Sequence, residues 1–439
     1  MLDRAEPRAL KTTPFWHEAA PPEAPSGVVP SEKTEIAIVG AGFTGLSCAL
    51  HLAEAGRQVT LFEAGPPGAG ASTRNGGMIG WGHRTSLATL ARHHGEDGAR
   101  AMLGEGVRSL DFTLGLIERV ALGAMYRRTG RFVGAGSTQH YDRLARWAAE
   151  EAPALGMEVE VVPQAEQGRH IATDSYRGGL HFRQHGGLHP ALFHRGLLDA
   201  ARAAGVEVVD HCPVKTVSGE DGAWRISHPH GETEAADLVY AGNGYAGGGQ
   251  GPFGEMARRL IPIPSTIIAT ETLGANRMAS LFPQGNMIVE TRSFHAYFRP
   301  DPWGERILFG GRASLNVLPE EESARRLRAA MLGVFPELGD VGLTHSWRGF
   351  VAFTFDNVPH IGQLGGVWHA CGYNGSGVAM APYLGWRLAM KMLCAEEAET
   401  GFDSAPFAKR AFYRGNPWFF RALEVWMSLK DRWEGVPRR

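Results

Sequence analysis

The stretch 35-EIAIVGAGFTGLSCALHLAEAGRQVTLFE-63 decides the fold. Glu35 to Val39 is a short β-branched run that stops at glycine, Phe43 to Ala55 carries Leu46, Ala49, Leu50 and Ala53 at helical spacing, and Gln58 to Glu63 is a second strand. Two parallel strands need a crossover between them, so the stretch predicts a β-α-β unit with the helix as the crossover.

Gly40, Gly42 and Gly45 form a GxGxxG at the turn from strand to helix, and Glu63 ends the second strand. Gly40 permits the tight turn, Gly42 lets a pyrophosphate approach the backbone, and Gly45 lets helix and strand pack closely. The helix N-terminus offers N–H groups and a positive dipole end to phosphates, and Glu63 can accept hydrogen bonds from a ribose. An acid at that position suits an unphosphorylated ribose, which disfavours NADP and leaves NAD or FAD. The next segment, 65-GPPGAGASTRNGGMIGWG-82, holds too many glycines for a helix and carries Ser72, Arg74 and Asn75. Such a loop can wrap a pyrophosphate and run beneath a flavin ring, where backbone amides serve and side chains would crowd.

Outside these segments the composition bounds the answer. The chain has 439 residues, 44 Lys+Arg against 46 Asp+Glu, 58 glycines and 44% hydrophobic residues. A net charge of −2 supplies no field to hold a nucleic-acid backbone, and the apolar fraction excludes a disordered chain. Cys48, Cys212, Cys371 and Cys394 form no CxxC pair and read as reduced thiols of a cytoplasmic protein. The N-terminus lacks the order of a signal peptide, and no apolar run is long enough to span a membrane.

The organisation read from pattern is discontinuous. Residues 1–33, rich in Pro and Ala, form an extended arm anchored by Phe15 and Trp16. A nucleotide-binding domain takes residues 34–115, 188–255 and 346–400, and a second domain takes 116–187 and 256–345. Strands are expected at Val206–Val209, Leu238–Ala241, Ala296–Arg299 and Arg306–Phe309, and helices at Leu192–Ala204 and Ser323–Val334. The fold class is α/β (α+β overall): a Rossmann-like dinucleotide domain with an interleaved antiparallel-sheet substrate domain.

Residues 35–82 resemble the N-terminal FAD motif of the D-amino-acid oxidase superfamily, and Gly70-Ala-Ser-Thr-Arg-Asn-Gly-Gly77 is similar to γ-glutamylputrescine oxidoreductases in particular. The resemblance continues, in order, through Gly186 to Pro190, Tyr240 to Tyr245, Trp347-Arg348-Gly349, Asp356 to Gly362 and Gly372 to Val378. It implies non-covalent FAD held by Gly40, Gly42, Phe43, Thr44, Gly45, Glu63, Ala64, Ala71, Ser72, Arg74, Asn75, Gly76, Gly77, Met78, Val214, Gly242, Asn243, Gly349, Asp356, Gly375, Ser376, Gly377 and Val378. The family usually carries Gly-His-Gly where this chain has Gly375-Ser376-Gly377. A helix starting there would still aim its positive end at the flavin, but without an imidazole.

Several departures sharpen the expectation. Sarcosine oxidases of the superfamily bind flavin through a cysteine before the C-terminal motif and use a lysine near the ring. This chain has no cysteine from Gly342 to Ala370 and no lysine from Thr216 to Met390. Gly242 to Gly247 forms a second GxGxxG, but the glycines after it cannot start a helix, which argues for one dinucleotide site. His181, His185 and His189 are spaced by four, yet Gly186, Gly187 and Pro190 break any helix that would align them, so no metal is expected. Glu290, Tyr297, Arg299, Trp347 and Arg348 are the candidate catalytic and substrate-contacting residues: a carboxylate for an ammonium, aromatics for its face or for the reacting carbon.

In the C-terminal segment 401–439, Trp418, Ala422, Val425, Leu429 and Trp433 fall on one helical face, expected to dock on the protein in preference to a membrane. The leading expectation is FAD-dependent oxidation of an amine, of the γ-glutamylputrescine, polyamine or N-substituted amino-acid type. Hydride passes to flavin N5, the imine hydrolyses, and oxygen or another acceptor takes the electrons. The alternative is a flavin-carrying electron-relay subunit. A homo-oligomer is compatible with either.

Overall fold

The computed structural model describes residues 10–81, 85–246 and 253–437. Its first sheet is built on the opening stretch. Lys33–Val39 pairs in parallel with Val59–Phe62 on one side and with Gly231–Tyr240 on the other. Glu207–Val209 extends the sheet beyond Val59–Phe62, and Val367–Cys371 extends it beyond Gly231–Tyr240, both in parallel. Strands buried on both faces need continuous apolar sequence, and Ile36, Ala37 and Ile38 have no exposure. The crossover helix, Phe43–Glu54, buries nine of its twelve residues because it lies between this sheet and a late helix, Gly377–Met392. An antiparallel flap, Thr216–Glu220 with Ala223–His228, hangs from Gly231–Tyr240. Its first strand carries no periodic signal in sequence, since Thr216–Glu220 is polar and largely exposed.

The second sheet is mostly antiparallel. Leu343–Phe353, Ile261–Thr270, Ile307–Gly311, Ala296–Pro300 and Met287–Glu290 lie in that order, followed by Arg131–Gly134, Gly179–Phe182 and Glu160–Val162. Among its described strands the one parallel pair is Met287–Glu290 with Arg131–Gly134. The expected strands at Ala296 and Arg306 are therefore present, each within a residue or two of its bounds. A domain boundary at residue 346 falls inside the strand Leu343–Phe353, which belongs wholly to this sheet. Glu320–Val334 packs Leu327, Met331 and Val334 over the far face.

Between the two sheets sits the N-terminal arm. Phe15 and Trp16 are buried with Trp347, Ile267 and Leu308. The Trp16 indole donates to the Asn75 carbonyl at 2.8 Å. Beyond it, Glu23 pairs with Arg195 and Arg202, and Ser26 donates its amide to Asp210, so the arm is fastened along its described part, residues 1–9 lying outside the described residues.

The C-terminal helix Phe420–Trp433 lies against the second sheet's side of the molecule, but not by the face expected from its pattern. Phe420 and Met427 are the buried residues, whereas Trp418, Val425, Leu429 and Trp433 are exposed. The orientation is set by carboxylates: Glu424 accepts from Ser314 and from the Leu315 amide, and Asp431 from the amide and hydroxyl of Ser293.

Candidate functional site

Gly40 takes φ = +113°, the turn that only glycine adopts without strain. A Cβ on Gly45 would stand 2.0 Å from the Gly40 carbonyl oxygen, so helix and strand are closer here than any side chain permits. The amide of Phe43 donates to the Ser72 hydroxyl at 2.9 Å, which ties the helix N-terminus to the glycine-rich loop. Glu63 accepts from the Ala41 amide at 2.8 Å and the Gly65 amide at 3.3 Å. Burial pushes its carboxyl above the usual range, partly offset by these amide donors.

These groups line one cavity of about 570 Å³. Its lining includes Phe62, Glu63, Cys212, Val214, Tyr240 and Phe253, and also Tyr373, Asn374, Gly375, Gly377 and Val378. Gly40, Gly42, Phe43, Thr44, Ala64, Ala71, Ser72, Asn75, Gly242 and Asn243 lie along it. Among the described lining residues Glu63 is the only charged side chain. Two helices, Phe43–Glu54 and Gly377–Met392, begin at this cavity. Phosphates fit such a site through backbone N–H groups and helix ends, with Glu63 placed to accept from a ribose, so the donor set matches a dinucleotide.

Second-rank contacts hold the walls. Asn243, at φ = 46°, accepts from the Gly372 amide at 2.9 Å, which ties the turn after one strand to the turn after the next. Asn374, at φ = 52°, accepts from the Thr354 amide and donates to the Gly372 carbonyl. The Tyr373 hydroxyl meets Thr44 at 2.6 Å and donates to the Ala370 carbonyl. Asn75 donates to the Ala71 and Ser72 carbonyls and accepts from the Gly77 amide, so it folds the loop upon itself.

The remaining predicted residues lie beside the cavity. Gly45 serves helix packing, and Asp356 accepts from the Val358 amide and pairs with His360. Three of the predicted substrate residues, Tyr297, Arg299 and Trp347, hold the loop Arg74–Gly77 with their side chains from the sheet side, whereas the Arg348 guanidinium turns to the Leu318 carbonyl and to Glu320 and only its backbone carbonyl meets the loop. Trp347 Nε1 donates to the Arg74 carbonyl at 3.1 Å, and Arg74 donates to the Arg348 carbonyl at 3.1 Å. Arg299 donates to the carbonyls of Gly77 and Leu188, and the Tyr297 ring lies against Gly76 while its hydroxyl meets Ser265 at 2.9 Å. Burial holds the Arg299 guanidinium down to about 10. Gly76, Gly77, Met78, Gly349 and Ser376 likewise flank the lining. Glu290 is buried elsewhere: its oxygens accept from the Ala296 amide at 2.8 Å and the Tyr176 hydroxyl at 3.2 Å, with Arg292 at 3.6 Å.

Sequence reasoning missed the wall built by Phe350, Val351 and Ala352, and the rings of Phe62, Tyr240, Tyr245, Phe253 and Tyr373. Only the positions of Tyr240, Tyr245 and Tyr373 within motifs could have flagged them. Residues 247–252, where the second GxGxxG ends, lie outside the described residues, but Asn243–Tyr245 forms a short 3-10 turn where a nucleotide helix would need to start. The spaced histidines go separate ways: His181 toward Glu160, His185 stacked on Phe182, and His189 capping the helix Pro190–Ala203. The His170–His181–Glu160 grouping has its carboxylate already paired with Arg169 and Arg183.

Fold and site together define an FAD-dependent oxidoreductase, and comparison with known proteins agrees. Residues 35–390 match the DAO family of FAD dependent oxidoreductases, and the chain belongs to that family. It is 28% identical to γ-glutamylputrescine oxidoreductase of Escherichia coli over 87% of this chain and 89% of that one. It is 29% identical to the probable oxidoreductase OrdL of Rhizobium meliloti over 95% of this chain and 97% of that one. Among solved structures, glycine oxidase from Geobacillus kaustophilus superposes with a TM-score of 0.67 at 20% identity, covering 87% of this chain and 99% of that one. L-proline dehydrogenase from P. horikoshii also gives 0.67 at 20% identity, over 90% and 99%.

Proposed function

We propose that the protein oxidises a primary or secondary amine of the γ-glutamylputrescine, polyamine or N-substituted amino-acid type, with FAD held non-covalently. The observation that carries this reading is the single cavity joining the Gly40–Gly45 turn to the start of the helix Gly377–Met392. The similarity to an amine-oxidising relative over most of both chains supports it. Bound FAD supplies the hydride acceptor.

The protein's own part is placement. The positive end of the helix Phe43–Glu54, its Phe43 amide tied to Ser72, serves the phosphates, Glu63 the ribose, and the N-terminal end of Gly377–Met392 offers positive potential to charge that builds on the ring during reduction. Tyr297, Arg299 and Trp347 act as positioning residues by clamping Arg74–Gly77 with their side chains, and Arg348 adds its backbone carbonyl as acceptor for Arg74. Glu290, satisfied by Tyr176 and Ala296, supports the sheet under Tyr297. The Cys371 thiol is buried in the core and Cys212 is buried beside Glu63, whose carbonyl accepts its amide, which supports a cofactor held without a covalent bond.

Anaerobic mixing of the yellow protein with γ-glutamyl amines, polyamines, N-methyl amino acids and D-amino acids tests the reading. Bleaching of the flavin bands by at least one cationic amine is expected. A flavin that none of them reduces would refute amine oxidation and favour an electron-relay role.

A further inference from the structure

We propose that the outward face of the C-terminal helix Phe420–Trp433 docks the enzyme on an anionic lipid surface. The helix divides its residues sharply. At 3.6 residues per turn, Phe420, Leu423, Glu424, Met427, Asp431 and Glu434 share one arc, and Val425, Trp426, Leu429 and Trp433 share the opposite one. The first arc is the protein contact. Glu434 pairs there with His140 at 3.0 Å and Arg143 at 2.9 Å, beside the contacts of Glu424 and Asp431 described above. The second arc is bare: Trp426 is 57% exposed, Val425 62%, Leu429 55% and Trp433 93%, and Trp418 just before the helix is 68% exposed.

Charge decides the occupant. Glu424, Asp431 and Glu434 are the only acidic side chains between Asp403 and Arg439, and the fold consumes all three on the inward arc. The ionisable groups that flank the aromatic arc are Arg421 and Arg432 on one edge and Lys430 on the other, all exposed. Lys430 lies over the Trp426 ring, with its ammonium 5.7 Å from the ring centre. An aromatic stripe edged by cations, with no carboxylate among them, matches the level of lipid headgroups: rings at the acyl boundary, ammonium and guanidinium groups reaching to phosphates. A second copy of this chain fits less well, because a two-fold contact would set the same cationic rim against itself. Docking would be peripheral, since among the described residues no helix is long and apolar enough to cross a membrane.

The test uses the full-length, FAD-loaded protein in cosedimentation with phosphatidylcholine vesicles, with and without phosphatidylglycerol. Binding to the anionic vesicles at low salt, weakened at high salt and weak on phosphatidylcholine alone, is expected. Replacing Arg421, Lys430 and Arg432 by Gln should lower the partition coefficient on the order of 100-fold. The triple variant Trp418→Ser, Trp426→Ser, Trp433→Ser should abolish binding, with flavin content and anaerobic reduction unchanged in both variants. Protein that stays in the supernatant with anionic vesicles at low salt overturns the proposal, as does binding that neither variant alters. A wild-type dimer that the tryptophan variant dissociates also overturns it and assigns the face to a second copy.

Discussion

Replacing Gly385 by Ala tests whether the two helices at the cofactor cavity are held at a fixed distance. Gly385 lies buried in the helix Gly377–Met392, where it crosses Phe43–Glu54. A Cβ there would meet the Thr44 carbonyl oxygen at 2.4 Å, Ser47 Cβ at 3.0 Å and the Cys48 amide nitrogen at 3.2 Å. Two of these obstacles are backbone and cannot rotate away, so the helices must part by roughly 0.6–1 Å to restore ordinary contact. Overpacking of this kind costs about 1–3 kcal/mol. In an exposed helix interior the same change gains up to about 1 kcal/mol from propensity, so the sign of the effect discriminates. Gly115, exposed in the helix Leu87–Val120 with nothing near its Cβ position, supplies the control. Thermal unfolding of the FAD-loaded protein should drop by roughly 1–3 °C for Gly385→Ala, at about 1 °C per kcal/mol for a chain of this length, and hold or rise for Gly115→Ala. Because the helices Phe43–Glu54 and Gly377–Met392 both begin at the cofactor cavity, the ratio of flavin to protein absorbance should fall as well. A Gly385→Ala protein with wild-type melting and full flavin content would refute this account of the site's rigidity.

Glu63→Gln removes the charged acceptor at the Ala41 amide and the expected ribose position, and should weaken FAD binding by roughly 10–100-fold in titration of the apoprotein; unchanged affinity would remove Glu63 from the site. Trp16→Ala empties a fully buried site and frees the Asn75 carbonyl, and should cost about 3–5 kcal/mol in denaturant unfolding; a loss below about 1 kcal/mol would show that the arm is not an anchor. His194 is buried against Gly68 with Nε2 2.7 Å from the Ala41 carbonyl, and burial lowers it to about 4 from an ordinary 6.5. The unfolded chain therefore binds a proton as pH falls below 6.5 while the folded chain resists until about 4, so stability falls with acidification across that window. The slope from this one group is about 1.4 kcal/mol per pH unit, and His194→Gln should remove it from the denaturant midpoints measured between pH 7 and 4. An identical pH profile in the variant would contradict the burial of a neutral imidazole.

What the sequence could reveal follows from the range over which each constraint acts. Gly40, Gly42, Gly45 and Glu63 are legible because their reasons are local: a turn angle, a close crossing and a strand end within one β-α-β unit. Phe350, Val351 and Ala352 were not, because they come from the other sheet and contribute only an apolar wall, which any buried strand also shows. Tyr297, Arg299 and Trp347 illustrate a different limit. Aromatics and arginines suit a substrate pocket and a loop clamp equally, and the choice is made by carbonyls at Arg74, Gly77 and Leu188 that lie far away in sequence. The C-terminal helix carries the same ambiguity in its own pattern, since Phe420, Leu423 and Met427 form one apolar arc and Val425, Leu429 and Trp433 another. Larger rings made the second arc look like the docking face. Burial instead followed the acids, because Ser293 and Leu315 present amides that need acceptors and only the arc with Glu424 and Asp431 supplies them. Where two arcs of a helix are comparably apolar, the arc that carries hydrogen-bonding partners for buried backbone amides goes inward, and the larger hydrophobes are left to meet something else.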